Sequence, residues 1–236
     1  GFDIATSYAT SAQAGGDYYD FFPITRDGAD GSDEWGIFIA DVSGHGTPAA
    51  VLMAITHAIA HTRPGTPMPA GTLLAYVNSH LSRSYATGGT FVTAFYATLD
   101  PRSRRLSFAV AGHNPPFVVR AGRVIALDGD AGLPLGLFGD EQYREATFQL
   151  ERGDVLVLYT DGITEARNPE GEMFGVERIE DSLRECSGAP ACAVNSISGA
   201  LLAFEAGVLP ADDQTLLVLQ VRGVCDGSPS PGASVS

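Results

Sequence analysis

The ten residues Ile37-Phe38-Ile39-Ala40-Asp41-Val42-Ser43-Gly44-His45-Gly46 constrain this chain more than any other stretch. A short, almost wholly apolar run ends in a carboxylate, a glycine-rich turn follows, and Thr47-Pro48 opens a helix. Apolar residues on both faces of a strand need burial on both faces, so the chain meets water only where that strand stops. Asp41 stands there. An acid at the tip of a buried strand is a helix cap or a ligand. As a cap for a helix starting at Thr47 it would be six residues early. The question is whether other acids reach the same place.

The framework around it can be read from period and turns. Strands are expected over 2–13 with a break at 14–20, then over 21–24, 35–40, 91–99, 105–111, 117–120, 123–127, 143–150, 154–160 and 215–221. Helices are expected over 47–62, 72–85, 174–186 and 192–206. Pro64, Pro67 and Pro69 end the first helix, whose small apolar residues nearly all round predict deep burial. The polar stretch 25–34 reads as a hairpin loop, and Gly132-Leu133-Pro134-Leu135-Gly136 as a rigid loop. Short turns imply antiparallel neighbours. The fold class is α+β: a four-layer α-β-β-α sandwich of two antiparallel sheets flanked by helices. A length of 236 residues suits one domain, 1–222, and the Gly/Pro/Ser-rich 223–236 reads as a disordered tail. The chain opens directly in structured-looking sequence, as a domain cut from something longer does.

Charge narrows the partners. The net charge is -14, from 28 acids and 14 basic residues, all arginine. An acidic surface repels phosphate backbones and anionic lipid, which argues against nucleic acid and membrane as partners. Cys186, Cys192 and Cys225 are odd in number and lack zinc spacing. With no signal-peptide pattern at the start, a reducing cytoplasm is the expected compartment.

Other acids do collect at strand ends. Asp161 ends Val155–Thr160, Asp212 and Asp213 precede Thr215–Val221, and Asp17 follows two glycines at the break in the first strand pair. Carboxylates on one rim repel unless cations lie between them. Oxygen donors favour Mg²⁺ or Mn²⁺ over zinc. Two such ions sharing one carboxylate lower the pKa of a water between them, giving a hydroxide suited to attack on phosphorus. Other phosphoryl chemistries fit less well. Cys186 and Cys192 have no arginine six residues on, and a chain without lysine has no P-loop.

Five runs, Gly15-Gly16-Asp17-Tyr18-Tyr19-Asp20, Asp41 to Gly46, Ala111-Gly112-His113-Asn114-Pro115-Pro116, Tyr159-Thr160-Asp161-Gly162-Ile163-Thr164-Glu165-Ala166 and Asp212-Asp213-Gln214-Thr215, carry a resemblance. From about Ala5 to Val221 the chain resembles bacterial metal-dependent Ser/Thr protein phosphatases of the SpoIIE/RsbU-like branch, related to protein phosphatase type 2C. The resemblance implies a dinuclear Mn²⁺/Mg²⁺ site. Asp41 would bridge both ions, with Asp17 and the Val42 carbonyl on one, and Asp161 and Asp212 on the other. Asp213 matches a position that usually supports the ligands, and the two neighbours are interchangeable by one residue. The implied substrate is phosphoserine or phosphothreonine on an anti-anti-sigma (STAS-type) protein. An upstream sensor domain is also implied, and a homodimer is left open. His45, four residues beyond Asp41, is the candidate general acid; eukaryotic members carry theirs two residues beyond. No arginine precedes Arg26, so the ions would carry the phosphate.

Plainer readings stand beside these. Asp161 suits an Asp-Gly turn, Asp17 a loop, and Asp212 and Asp213 the guarding of a strand end. His113 reads as a turn-stabilising residue, and His57 and His61 as packing or surface residues. Arg102, Arg104 and Arg105 read as a solvated hairpin tip. Glu165 and the loop to Phe174 read as a flap beside the site. Two other functions compete. A haloacid-dehalogenase-type phosphatase would use Asp128-Gly129-Asp130, but Gly132 stands where Thr or Val is needed and there is no lysine. A catalytically silent phosphatase-fold binding module is the other.

Overall fold

The computed structural model describes residues 2–24, 34–62, 68–85, 89–186 and 188–222, and the run around Asp41 becomes β3 (Glu34–Val42), a strand buried on both faces. Its alternation sets the layering. Ile37 and Ile39 point between the sheets, while Phe38, Ala40 and Val42 point toward helices. Fully burying an isoleucine contributes roughly 1.5–3 kcal/mol, so slipping this strand by one residue would cost several such terms.

β3 pairs with β2 (Tyr18–Ile24) on one side and β4 (Val92–Asp100) on the other. β5 (Arg105–Ala111) follows, with β8 (Ala131–Gly132) and β9 (Ala146–Gln149) both paired to it. The second sheet runs β1 (Phe2–Ala9), β11 (Gln214–Val221), β10 (Val155–Tyr159), β6 (Phe117–Arg120) and β7 (Arg123–Ala126). Helices α1 (Thr47–His61) and α2 (Ala70–Ser84) cover the first sheet. α4 (Gly175–Arg184) and α5 (Pro190–Glu205) cover the second, and α3 (Asp161–Thr164) is one turn set directly on the end of β10. Three apolar layers result: helix against sheet, sheet against sheet, and sheet against helix. The mixed α+β sandwich with flanking helices is therefore present as expected.

Several details differ from the sequence reading. β1 ends at Ala9 rather than at 13, and β9 covers only Ala146–Gln149 of the expected 143–150. α1 is not buried all round. It buries Ala49, Leu52, Thr56 and Ala60 and leaves Val51 53% exposed, because it lies in an outer layer with sheet on one side only. The expected rigid loop at 132–136 contains the end of β8, whose two-residue pairing with β5 is parallel. Asp161, for which an Asp-Gly turn was the plainer reading, opens a single helical turn, Asp161–Thr164. β2 starts at Tyr18 rather than Phe21, because its ladder with β3 begins at the Tyr18–Ala40 pair. The tail 223–236, Pro64, Pro67 and residues 25–33 of the expected hairpin loop lie outside the described residues. Cys186 and Cys192 lie with their sulfurs 2.9 Å apart. Among the described residues no helix is long and apolar enough to cross a membrane.

Candidate metal centre

Register brings the first two acids together. β2 pairs with β3 as far as Tyr18–Ala40, so Asp17, one residue beyond the ladder, falls beside Asp41. On the other sheet β10 pairs with β11 up to Tyr159–Leu216, and the Thr160 N–H donates to the Thr215 carbonyl at 3.2 Å. Asp161 and the Asp212-Asp213 pair therefore leave the second sheet at this same end. The acids meet across the sandwich, two from each sheet, rather than along the rim of a single sheet.

The two sheets are fastened at this point. Thr160 Oγ1 donates to Asp17 Oδ2 at 2.7 Å, and Thr215 Oγ1 donates to the same oxygen at 2.5 Å. Asp17 Oδ1 is buried and has no protein partner. A buried carboxylate oxygen without a donor is costly unless something outside the protein binds it. Asp213, only 2% exposed, is differently placed. Its Oδ1 accepts the Ser11 N–H at 2.8 Å and its Oδ2 the Gly16 N–H at 2.6 Å, which ties the loop before Asp17 to β11. Asp212 is half-buried, and its Oδ1 accepts the N–H of Asp213 at 2.8 Å.

Backbone geometry lets the parts approach. A Cβ on Gly162 would lie 2.0 Å from the Asp213 carbonyl oxygen, so only glycine fits after Asp161. Gly44 and Gly46 take φ of +95° and +78° in the turn between β3 and α1, a region open to glycine at no steric cost. Val42 is buried, and its carbonyl oxygen faces the Gly16 loop, 3.2 Å from where a Gly16 Cβ would sit. His45 is exposed on that turn.

The charges are crowded. Burial raises the Asp41 carboxyl to about 9, and the neighbouring Asp17, Asp161 and Asp212 add to the effect. Burial likewise raises Asp17 to about 7, against the pull of the Thr215 and Thr160 hydroxyls. Asp161 is raised too, by burial and by Glu165 and Asp212. These acids cannot all be ionised without a counter-charge. All-oxygen donors, an unpartnered Asp17 oxygen and mutual repulsion fit hard divalent cations.

Beyond these acids, the sequence reading passed over Thr160 and Thr215. Their signal was there, a threonine directly before Asp161 and another just after Asp213-Gln214. The expected flap is a closed hairpin. Asn168 N–H donates to the Glu172 carbonyl at 3.1 Å, Glu172 N–H to Asn168 Oδ1 at 2.8 Å, and Phe174 N–H to the Ala166 carbonyl at 2.8 Å. His57 and His61 do not stand alone on the surface but meet Asp20.

The sandwich with its flanking helices is the PP2C-type fold. The structure is similar to the SiaA-PP2C domain of Pseudomonas aeruginosa, with a TM-score of 0.78 and 24% identity over 92% of this chain and 85% of that one. It is also similar to the RsbU and RsbW domains of a Mycobacterium tuberculosis protein, with a TM-score of 0.73 and 26% identity over 94% of this chain and 60% of that one. The profile of the SpoIIE family, described as Stage II sporulation protein E, matches residues 31–222. Phosphoserine phosphatase RsbU of Bacillus subtilis (strain 168) is 32% identical over 222 residues, which is 92% of this chain and 63% of RsbU. The chain belongs to the SpoIIE family of PP2C-type phosphatase domains. It spans 63%, 37% and 43% of the lengths of three curated relatives.

Proposed function

We propose that this chain is the catalytic domain of a metal-dependent phosphatase acting on phosphoserine or phosphothreonine of a protein, with a STAS-type anti-anti-sigma regulator as substrate class. The observation that carries this is the meeting of carboxylates from both sheets around a buried Asp17 oxygen that has no protein partner. Two Mn²⁺ or Mg²⁺ ions would be held by Asp41 in common, with Asp17 and the Val42 carbonyl as further ligands of one and Asp161 and Asp212 of the other. Asp213, whose oxygens are taken by Ser11 and Gly16, holds the loop that presents Asp17. When bound, the ions supply charge neutralisation and Lewis acidity toward water and the phosphoryl oxygens.

The chain's own groups do the rest. Thr160 and Thr215 fix the Asp17 carboxylate, and Gly162 allows the start of β11 to close on Asp161. His45, exposed on the turn after Asp41, delivers a proton to the departing seryl oxygen. The substrate class is supported by the relative named phosphoserine phosphatase RsbU and by the neighbour that joins RsbU and RsbW domains. A sensor domain elsewhere in the full-length protein belongs to the same proposal, since the chain spans 63% of RsbU.

The test is turnover of nitrophenyl phosphate and of a phosphoserine protein with Mn²⁺, with and without chelator. Asp41→Asn and Asp161→Asn are each expected to cut both rates by about a thousandfold or more. His45→Ala should slow the phosphoserine substrate and spare the nitrophenyl ester, whose leaving group needs no proton. Turnover that survives chelator and both Asp substitutions sinks the reading. No turnover by the parent points to a silent binding module instead.

A further inference from the structure

A second cluster of metal-ligating side chains lies on a different face of the first sheet's helical layer. β2 is the edge strand of that sheet, and its Tyr18 and Phe22 pack toward α1. Asp20 alternates with them and points the same way. α1 presents His57 and His61, one turn apart on one stripe. Four polar ends then converge. His61 Nε2 lies 2.9 Å from Asp20 Oδ2. Tyr18 Oη lies 2.8 Å from His57 Nδ1, 3.2 Å from His61 Nε2 and 2.8 Å from Asp20 Oδ2. The ligand atoms of Asp20, His57 and His61 all lie within 4.8 Å of one another.

We propose that Asp20, His57 and His61 form a second metal site, for a zinc-class divalent cation, stapling α1 to β2. The spacing suits it. Ligands about 2.0 Å from a tetrahedral zinc are roughly 3.3 Å apart; His61 Nε2 and Asp20 Oδ2 lie 2.9 Å apart, and all three ligand atoms are within 4.8 Å of one another. The rings are held in place before any ion arrives. His61 packs edge-on to Phe22 at 4.5 Å between ring centroids, His57 on Tyr18 at 5.1 Å, and the two imidazoles lie 4.5 Å apart. Tyr18 Oη donates to Asp20 Oδ2 at 2.8 Å and so orients that carboxylate. The side chains of His61 and Asp20 are 31% and 28% exposed, so an ion has a way in and water can fill the fourth position.

Donor chemistry separates this site from the carboxylate centre. Two imidazoles and one carboxylate favour Zn²⁺, Co²⁺ or Ni²⁺, whereas an all-oxygen set favours Mg²⁺ and Mn²⁺. The bland alternative is an Asp-His pair bridged by a tyrosine, and it makes a different prediction. With Mg²⁺ in excess to occupy the oxygen site, Zn²⁺ alone is titrated into the protein, and its X-ray absorption spectrum is recorded. The expected result is a single tight equivalent whose spectrum carries imidazole scattering. His57→Ala and His61→Ala, checked for folding by circular dichroism, should each weaken Zn²⁺ by more than about a hundredfold, beyond what loss of an outer partner costs. An oxygen-only spectrum in the parent overturns the proposal, and so does Zn²⁺ affinity unchanged in both variants. The parental spectrum decides the matter even if a variant fails to fold.

Discussion

Asp17 shows how much of the site is set by residues that never touch an ion. One of its oxygens is fixed by two hydroxyls from the opposite sheet, and the other is left free. Thr160→Val keeps the shape and removes one donor. The expected result is a 10–100-fold rise in the Mn²⁺ concentration needed for half-maximal turnover, with the saturated rate little changed. A rate that falls at every Mn²⁺ concentration would place the hydroxyl in the chemistry instead. His113 makes a separate argument. Burial lowers its imidazole from 6.5 to about 4, against the backbone of Tyr159, and Nδ1 pairs with Thr93 Oγ1 at 2.9 Å. A base whose folded pKa is depressed binds its proton first in the unfolded chain. Its contribution is thus complete above pH 6.5 and is lost as pH falls toward 4. The loss over that window is about 3 kcal/mol. The stability gap between the parent and His113→Gln, from urea melts at a series of pH values, should narrow by about that amount between pH 7 and 4. A gap that stays constant with pH would exclude a neutral, buried His113.

At the scale of elements, the proposed function makes the hairpin between α3 and α4 the segment to test for contact with a protein substrate, since it lies beside Asp161. It leaves the helical turn that carries Asp161 and closes on an Arg167–Met173 bridge. Buried Phe174 anchors it, and Met173 is 46% exposed. Contacts remote from the reacting phosphate act only on substrates large enough to reach them. Replacing 168–172 by a shorter turn is therefore expected to lower phosphoprotein turnover by about tenfold or more while leaving nitrophenyl phosphate nearly unchanged. Equal loss on both substrates would mean that the hairpin only supports Asp161. The elements themselves were legible wherever burial covers both faces. β3, β10 and β11 are continuous apolar runs whose polar ends could only be rim positions, which is why Asp41 and Asp161 stood out. Partnership was not legible. β1 pairs with β11 from Phe2–Val221 onward, a contact between opposite ends of the described chain, and no local pattern assigns strands to sheets. α1 misled for a related reason: small apolar residues nearly all round give a helix without a phase, so the buried stripe is set only by docking. The same docking brings His57 and His61 to Asp20, which spacing along the helix could only hint at.

For the molecule as a whole, the carboxylate centre sets stability against function. Without ions, Asp41 is a buried acid facing three others, and the fold holds them together at a cost. Ions that bind only the folded chain offset that cost. At a hundred times the dissociation constant each site adds about 2.7 kcal/mol, which for a domain of this size is roughly 5–11 °C in Tm. Chelation should therefore lower Tm by that much for each site emptied, and Mn²⁺ should restore it. Asp41→Asn puts a neutral group where the metal-free fold forces Asp41 to take up a proton, so the metal-free variant is expected to melt at or above the metal-free parent while losing most of the Mn²⁺-dependent rise. The two melting curves should cross: variant at or above parent in chelator, parent above variant in Mn²⁺. A variant that melts well below the parent in chelator would show that Asp41 stabilises the empty fold, and the strain assigned to this cluster would have to be withdrawn.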